Sequence, residues 1–455
     1  MRLPPVLLAA ALALLPVLTY PLWIFDEGVA LVAAQRILQG DWPYRDFYAV
    51  YPPGQFAMLA AVFKLFGATL TVERLYHLAC QVALVAMLVR WSGSFLVVPP
   101  AVLLCAWVPS FGYAAIPGLA LAMAGMTARA PLLAGALVGF AVVWKLELGV
   151  WAGLGTTIGW LVAWPGFRFA LRWAAGAGGV VAATLAVLVA AMPWMTIRRQ
   201  LFDIPSQITA AYHHLPLPTG FSRISLAAYG PLAVALAGLV AGAWLLRRDR
   251  KEASAVLAVA VWLALITMQA LWLRPDPTHM LNPLLVALAL AGRASRRYRF
   301  ARDWRVGTAL VLLTLPAILQ VRYYPDGAIA PQQQAALNEV SKLTQPGDPI
   351  YVGTHRHDVL HINDISFYFL ARRRPASYYH ELPPGVATTE EVQRTIARAI
   401  ELTNTRVVVL WDYARADLGP SSSRKPGSTY LDQYLAGRFQ PVYRNALYTV
   451  LERRQ

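Results

Sequence analysis

The sequence is poor in charge and nearly free of cysteine. Only 14% of its 455 residues are Asp, Glu, Lys or Arg, against about 25% in soluble domains. Hydrophobic residues make up 57%, and the mean hydropathy is +0.47. This balance excludes a pair of ordinary soluble domains and a disordered chain. Two cysteines, Cys80 and Cys105, exclude a disulfide scaffold; both sit in apolar runs and read as small buried hydrophobes. Nucleotide and protease signatures are missing too. There is no Gly-x-Gly-x-x-Gly with an acidic residue at Rossmann spacing, no Walker A loop and no His-Glu-x-x-His. Nucleotide-driven transport and zinc proteolysis therefore have no support. Long apolar runs are what the chain has in quantity, and they define a polytopic membrane protein.

Acidic charge is also scarce, 24 Asp and Glu against 40 Lys and Arg, for a net charge of +16. Its placement argues against nucleic acid as a partner. Residues 1–320 hold 24 of the basic and 11 of the acidic residues, and the basic ones cluster between apolar runs, as at Arg247-Arg248-Asp249-Arg250-Lys251 and through 293–305. That is the positive-inside pattern. The runs lie near 4–25, 72–91, 95–113, 115–128, 131–146, 149–165, 173–194, 225–246, 254–273, 279–292 and 306–320. The first is read as a retained helix rather than a cleaved signal peptide, because it is long enough to span and is followed at once by two acids. With the N-terminus cytoplasmic, Arg90, Arg129, Arg168 with Arg172, and the clusters 247–251 and 293–305 all fall inside. Loops 26–71, 195–224 and 274–278 fall outside, as does everything after 321. Asp26, Glu27, Asp41, Asp46, Glu73, Glu147, Asp203 and Asp276 then lie at the outer face, leaving Asp249, Glu252 and Asp303 inside.

The loop 26–71 carries structure of its own. Residues 29–38 read as a short amphipathic helix with Gln35 and Arg36 on the polar side, and 55–66 as an interfacial or re-entrant segment. Residues 321–455 read as a small outer α/β domain. Strands are expected at 349–353, 406–412 and 447–451, with helices at 390–402 and 430–436. Thr388-Thr389-Glu390-Glu391 has the spacing of a capping box, and 420–428 is a Ser/Pro/Gly-rich loop.

Five clusters could carry chemistry. Asp26-Glu27-Gly28 follows the first span directly. Asp26 could act as a general base, with Glu27 orienting the acceptor or pairing with a cation; alternatively both cap the next helix. Tyr44-Arg45-Asp46-Phe47 and Tyr51-Pro52-Pro53-Gly54 suit a sugar or a phosphate, or else an interfacial aromatic belt. Lys145-Leu146-Glu147-Leu148-Gly149 interrupts apolar sequence, where ionisable groups are costly; the other reading is a snorkelling Lys–Glu pair. Arg274-Pro275-Asp276-Pro277-Thr278-His279 could hold a phosphate or form only a Pro turn. Arg198 and Arg199 lie outside against the trend, where an anionic substrate or lipid headgroups could use them. Tyr212-His213-His214 reads as loop surface. His355 and His357, with Asp358, His361 and Asp364, have metal-ligand spacing without an identifiable third ligand, and read as domain surface or lid.

Taken in order, these motifs resemble the GT-C glycosyltransferases. The similarity runs through Asp26-Glu27-Gly28, Arg36 to Gly40, Pro43 to Phe47, Tyr51 to Gly54, Phe63 to Gly67 and Arg74. It continues through Lys145-x-Glu147-x-Gly149, Arg274-x-Asp276-x-x-His279, Gly353 to Asp364, Tyr368 and Arg373. The branch that includes protein O-mannosyltransferases and aminoarabinose transferases matches best. The resemblance implies about eleven transmembrane helices with juxtamembrane helices in the first outer loop, followed by the α/β domain (1–320 and 321–455). It implies an integral inner-membrane enzyme that transfers a hexosyl or pentosyl group outside the cytoplasm. The donor would be a polyprenyl-phosphate-linked sugar, and the acceptor a glycan, lipid or protein among the membrane lipids. Asp26 maps onto the acceptor-side aspartate and Glu27 onto the second acid. Arg45, Lys145, Arg274 and His279 are candidates for the donor phosphate, and Tyr44, Asp46, Tyr51, Glu147, Arg198 and Arg199 for the substrates. The first loop has no Lys where aminoarabinose transferases keep one beside the phosphate, so Arg45 is expected to substitute. Without an outer Asp-x-Asp, dependence on a divalent metal stays open. One carboxylate on the acceptor side suits in-line, inverting transfer. A lipid-linked-sugar flippase and a non-catalytic sugar-binding assembly protein are the rival readings.

Overall fold

A computed structural model describes residues 3–107, 115–208, 217, 223–248, 250–322, 328–359, 362–383, 385–412 and 427–454. Each expected apolar run holds a helix. They are Pro4–Leu14 with the 3-10 turn Leu15–Thr19, Leu70–Ser92, Val98–Trp107, Ala115–Thr127, Pro131–Trp144, Leu146–Gly159, Phe167–Ala191, Arg223–Arg248, Ala253–Leu273, Pro277–Ser295 and Trp304–Arg322. Four stretches, Leu70–Ser92, Phe167–Ala191, Ala228–Arg248 and Ala253–Leu273, are long and apolar enough to cross a membrane. Leu171, Val187 and Val189 on Phe167–Ala191 face outward, as a lipid-facing helix requires. Inside the bundle, Leu84, Val85, Val102, Met123, Trp262 and Leu285 share one apolar cluster.

The two expected basic loops meet at one end of the bundle. Glu252 pairs with Arg293 at 2.9 Å and also with Arg296, and the Arg293 guanidinium lies 4.6 Å from the Trp91 ring centre. Arg248 and Arg297 flank the Trp244 ring. Cations beside aromatics are what a membrane interface favours.

After Trp304–Arg322 comes a five-stranded sheet: β1 (Pro349–Thr354), β2 (Arg374–Pro375), β3 (Val407–Trp411), β4 (Phe439–Arg444) and β5 (Tyr448–Arg453), in the order β2-β1-β3-β5-β4. β1 pairs parallel with β2 and β3, whereas β5 runs antiparallel to β3 and β4. Alternate residues of β1 and β3 point to opposite faces. Tyr351, Val408 and Leu410 meet the Glu390–Leu402 and Tyr430–Arg438 helices through Ile396, Ile400 and Leu435. Ile350, Val352, Val407 and Val409 face the other way, into one core with Val29, Val32, Phe56 and Phe63 of the first loop. The Phe63 and Phe369 rings stack at 5.7 Å. The sheet and the first-loop helices are therefore packed as one unit.

That packing changes two expectations. The first-loop helix spans Asp26–Leu38, and its supposed polar side is largely covered: Arg36 is buried, paired with Asp41 at 2.8 Å, donating to the Asp46 and Ser377 carbonyls and lying over Phe47. The Gly54–Phe66 helix buries Phe56, Leu59 and Phe63 and exposes Leu65 and Phe66, as an interfacial helix would. The expected capping box does not form. Thr389 is the N-cap residue, but its hydroxyl donates to the Val386 carbonyl at 2.7 Å.

Candidate active site

Asp26 is the first residue of the Asp26–Leu38 helix, where helix polarity favours a carboxylate. Phe25 is the N-cap residue and no side chain caps it, but both acids lie in the first turn, so of the capping reading the charge–helix part stands and the hydrogen-bonded cap does not. Burial raises the Asp26 carboxyl, opposed by the charges of Lys145, His279 and Arg274 and by a hydrogen bond from the Trp23 side chain. Three of the residues expected at a phosphate thus act on Asp26, from two segments, Lys145 and the 274–279 turn.

Each cation is held by local geometry. Lys145 sits in extended backbone between Pro131–Trp144 and Leu146–Gly159. The two helices fold back so closely that a Cβ at Gly149 would lie 2.2 Å from the Val142 nitrogen, so this position requires glycine. The Lys145 ammonium is 3.1 Å from Glu147 and 5.4 Å from the Tyr51 ring centre. Arg274 ends the Ala253–Leu273 helix, and Asp276 caps the next one by accepting from the His279 backbone at 3.0 Å. The same carboxylate accepts from Arg274 and contacts His279 Nδ1, each at 2.9 Å. Burial opposes its charge, but the His279 hydrogen bond and the His279 and Arg274 charges hold Asp276 down at about 2. One carboxylate therefore orients both cations.

Glu27 points the other way. Its carboxylate takes Arg74 Nε at 2.8 Å and Nη2 at 3.2 Å, together with the Trp23 backbone N–H at 2.9 Å. Arg74 Nη1 donates to the Leu18 and Tyr20 carbonyls, both at 2.7 Å. The pair ties the end of the first span to the head of Leu70–Ser92. Gly28, next along, lets the Ser366–Ala371 helix close in. A Cβ there would be 2.6 Å from the Ser366 nitrogen, which itself donates to the Ile24 carbonyl at 3.2 Å. Asp364 fixes that helix from below, accepting from Ser366, Gln333, Tyr448 and the Phe367 N–H. We expect Gly28→Ala to destabilise the protein by about 1–3 kcal/mol through overpacking against backbone. Because the strain falls two residues from Asp26, turnover should fall as well. Thermal midpoints and transfer rates of the variant check both.

Other expected residues lie elsewhere. Arg45 is half-exposed, paired with its neighbour Asp46 at 2.8 Å, and lies over Trp42. Lys145, not Arg45, takes the place beside Tyr51. Tyr44 and Asp46 build the loop: Tyr44 adopts a φ of 70°, its hydroxyl donates to the Tyr51 carbonyl at 2.7 Å, and Asp46 accepts from the Trp42 N–H. Arg198 pairs with Asp203 at 3.4 Å on the surface, whereas the Arg199 charge acts on Tyr378 and Tyr379. The C-terminal histidine cluster has internal partners. His357 meets Asp432 at 2.7 Å and the Tyr351 hydroxyl at 2.8 Å, and Asp358 pairs with Arg356. No three candidate ligands gather at a metal site among the described residues. Tyr212, His213, His214, His361 and most of 420–428 lie outside those residues.

One acid was not anticipated. Glu381 is buried, and the Asp26 charge acts on it. Burial first, and Asp26 second, raise its carboxyl from 4.5 to about 8. The folded protein therefore keeps a proton there that the unfolded chain has lost. On this account stability is greatest below pH 4.5, falls as pH rises and levels off above about 8. Glu381→Gln should flatten that part of the profile, read as thermal midpoint against pH.

No protein-family model matches the chain, and no curated protein does. Solved structures do match its fold. The likeness is one of fold and runs over nearly the whole chain. ArnT from Cupriavidus metallidurans bound to undecaprenyl phosphate is similar with a TM-score of 0.66 and 15% identity, over 98% of this chain and 97% of that one. Its apo state gives 0.60 and 14%, over 98% and 96%.

Proposed function

We propose that the protein is a membrane glycosyltransferase that moves a sugar from a polyprenyl-phosphate donor to an acceptor hydroxyl at the outer face of the cytoplasmic membrane, with inversion. In this reading the N-terminus is cytoplasmic, and residues 321–455 form an outer domain that covers the site and helps choose the acceptor. The observation that carries it is the convergence of Lys145, His279 and Arg274 on Asp26. Cations stabilise a departing lipid phosphate as its charge grows, and the nearby Asp26 carboxylate takes the proton of the attacking hydroxyl. Undecaprenyl phosphate in ArnT of the same fold supports the lipid class. Glu27 would position Asp26 through its bond to the preceding turn, and Tyr51 and Glu147 would hold Lys145 in place.

The test is transfer by purified protein from a panel of radiolabelled undecaprenyl-phosphate sugars to membrane extract. Label should appear in an acceptor with inverted anomeric configuration. A retained configuration would refute in-line transfer. Donor that crosses proteoliposome membranes without any transfer would establish a flippase instead.

A further inference from the structure

Among the described residues, Tyr48 Oη and Glu381 Oε1 are buried without a hydrogen-bonding partner, as are both ring nitrogens of the neighbouring His380. Tyr48 is 1% exposed and Glu381 2%. Leaving a buried polar group unpaired costs about 1–3 kcal/mol, so such atoms commonly await a partner. Here the surrounding structure holds them in place. The Tyr48 N–H donates to the Tyr378 carbonyl at 3.0 Å. Asn363 pins the Glu381 turn from both sides, accepting from the Leu382 N–H at 3.1 Å and donating to the His380 carbonyl at 2.9 Å. Packing brings the groups together: the Tyr48 ring lies 6.5 Å from that of Tyr378 and 5.6 Å from that of Tyr379, and the helix begun by Asp26 meets Ile365 and Ser366 at Gly28, beside Asn363; the Asp26 charge also acts on Glu381.

The groups fit a particular chemistry. No trio of metal ligands gathers among the described residues. A buried carboxyl that keeps its proton near neutrality donates one hydrogen bond and accepts another. The tyrosine hydroxyl does the same. Their natural complement is a group that also both donates and accepts, a sugar hydroxyl. We infer that Glu381 and Tyr48 form a subsite for carbohydrate hydroxyls beside Asp26, with Glu381 determining which sugar is accepted. This rests on the glycosyltransferase reading. The hydroxyls could belong to the donor sugar or to a glycan acceptor.

The experiment compares full-length wild type with Glu381→Leu, Tyr48→Phe and the conservative Glu381→Gln. Three quantities are measured: affinity for undecaprenyl phosphate, affinity for the undecaprenyl-phosphate sugar that wild type uses, and KM for acceptor. Glu381→Leu and Tyr48→Phe should each weaken the sugar-bearing donor about tenfold and leave undecaprenyl phosphate unchanged. Glu381→Gln, which still donates and accepts, should stay near wild type. The Glu381→Leu thermal midpoint should not fall, because an unpaired atom is removed; a purely structural carboxyl would lower it. Unchanged donor affinity with acceptor KM raised about tenfold would assign the subsite to the acceptor. If wild type transfers sugar and the variants match it in all three quantities, the inference is overturned alone. If wild type neither binds undecaprenyl phosphate nor transfers sugar, the enzyme reading falls and takes the inference with it.

Discussion

Asp26→Asn is expected to reduce sugar transfer about 10²–10⁴-fold while undecaprenyl phosphate still binds. Asparagine has the same shape and remains neutral, so it can orient an acceptor but cannot take its proton. Lys145, His279 and Arg274 keep their places, because Glu147 pairs with the first and Asp276 holds the other two. Removing the Asp26 charge from their midst also removes its competition for a bound phosphate. Lipid affinity should therefore stay level or rise as turnover collapses. Binding and single-turnover measurements on the purified variant separate the two effects. Transfer that survives would move the base elsewhere, and lost lipid binding with intact turnover would make Asp26 a donor-binding residue.

What was readable beforehand was local. Each apolar run became a helix at its expected place, because membrane burial leaves backbone groups no partner outside the segment. Lys145, Arg274 and His279 stood out because charge is costly amid apolar sequence, and all three act on Asp26. Arg45 is harder to read: a cation beside aromatics in a loop looks the same whether it meets a phosphate or its own neighbour, and here it pairs with Asp46. Long-range contacts left no trace. Nothing around Tyr378-Tyr379-His380-Glu381 has a period or a motif, and Glu381 becomes a site residue only because β1 and β3 pack onto the first-loop helices. The burial of Arg36 has the same origin: a polar stripe that suits water also suits the Ser377 carbonyl of a covering domain.

Glu27, expected to orient the acceptor or to pair with a cation, pairs with Arg74, and this makes a sharper expectation possible. Arg74→Met should destabilise the protein by about 3–5 kcal/mol, since it takes the cationic partner from a fully buried acid and leaves it only the Trp23 N–H and the neighbouring Glu73 side chain. Glu27→Gln should cost less. The amide oxygen can still accept from Trp23 or Arg74, and Arg74 keeps the Leu18 and Tyr20 carbonyls. The double variant Glu27→Gln/Arg74→Met should recover much of the single-variant loss, because the desolvated charge disappears together with its partner. Thermal midpoints at a fixed scan rate measure all three. Transfer by the double variant then separates two roles that stability alone would confuse. A positioning residue acts by holding the Trp23–Asp26 turn, so activity should return in proportion to the fold. A residue that touches the acceptor would leave the refolded double variant inactive, and Glu27 would have to join Asp26 in the chemistry.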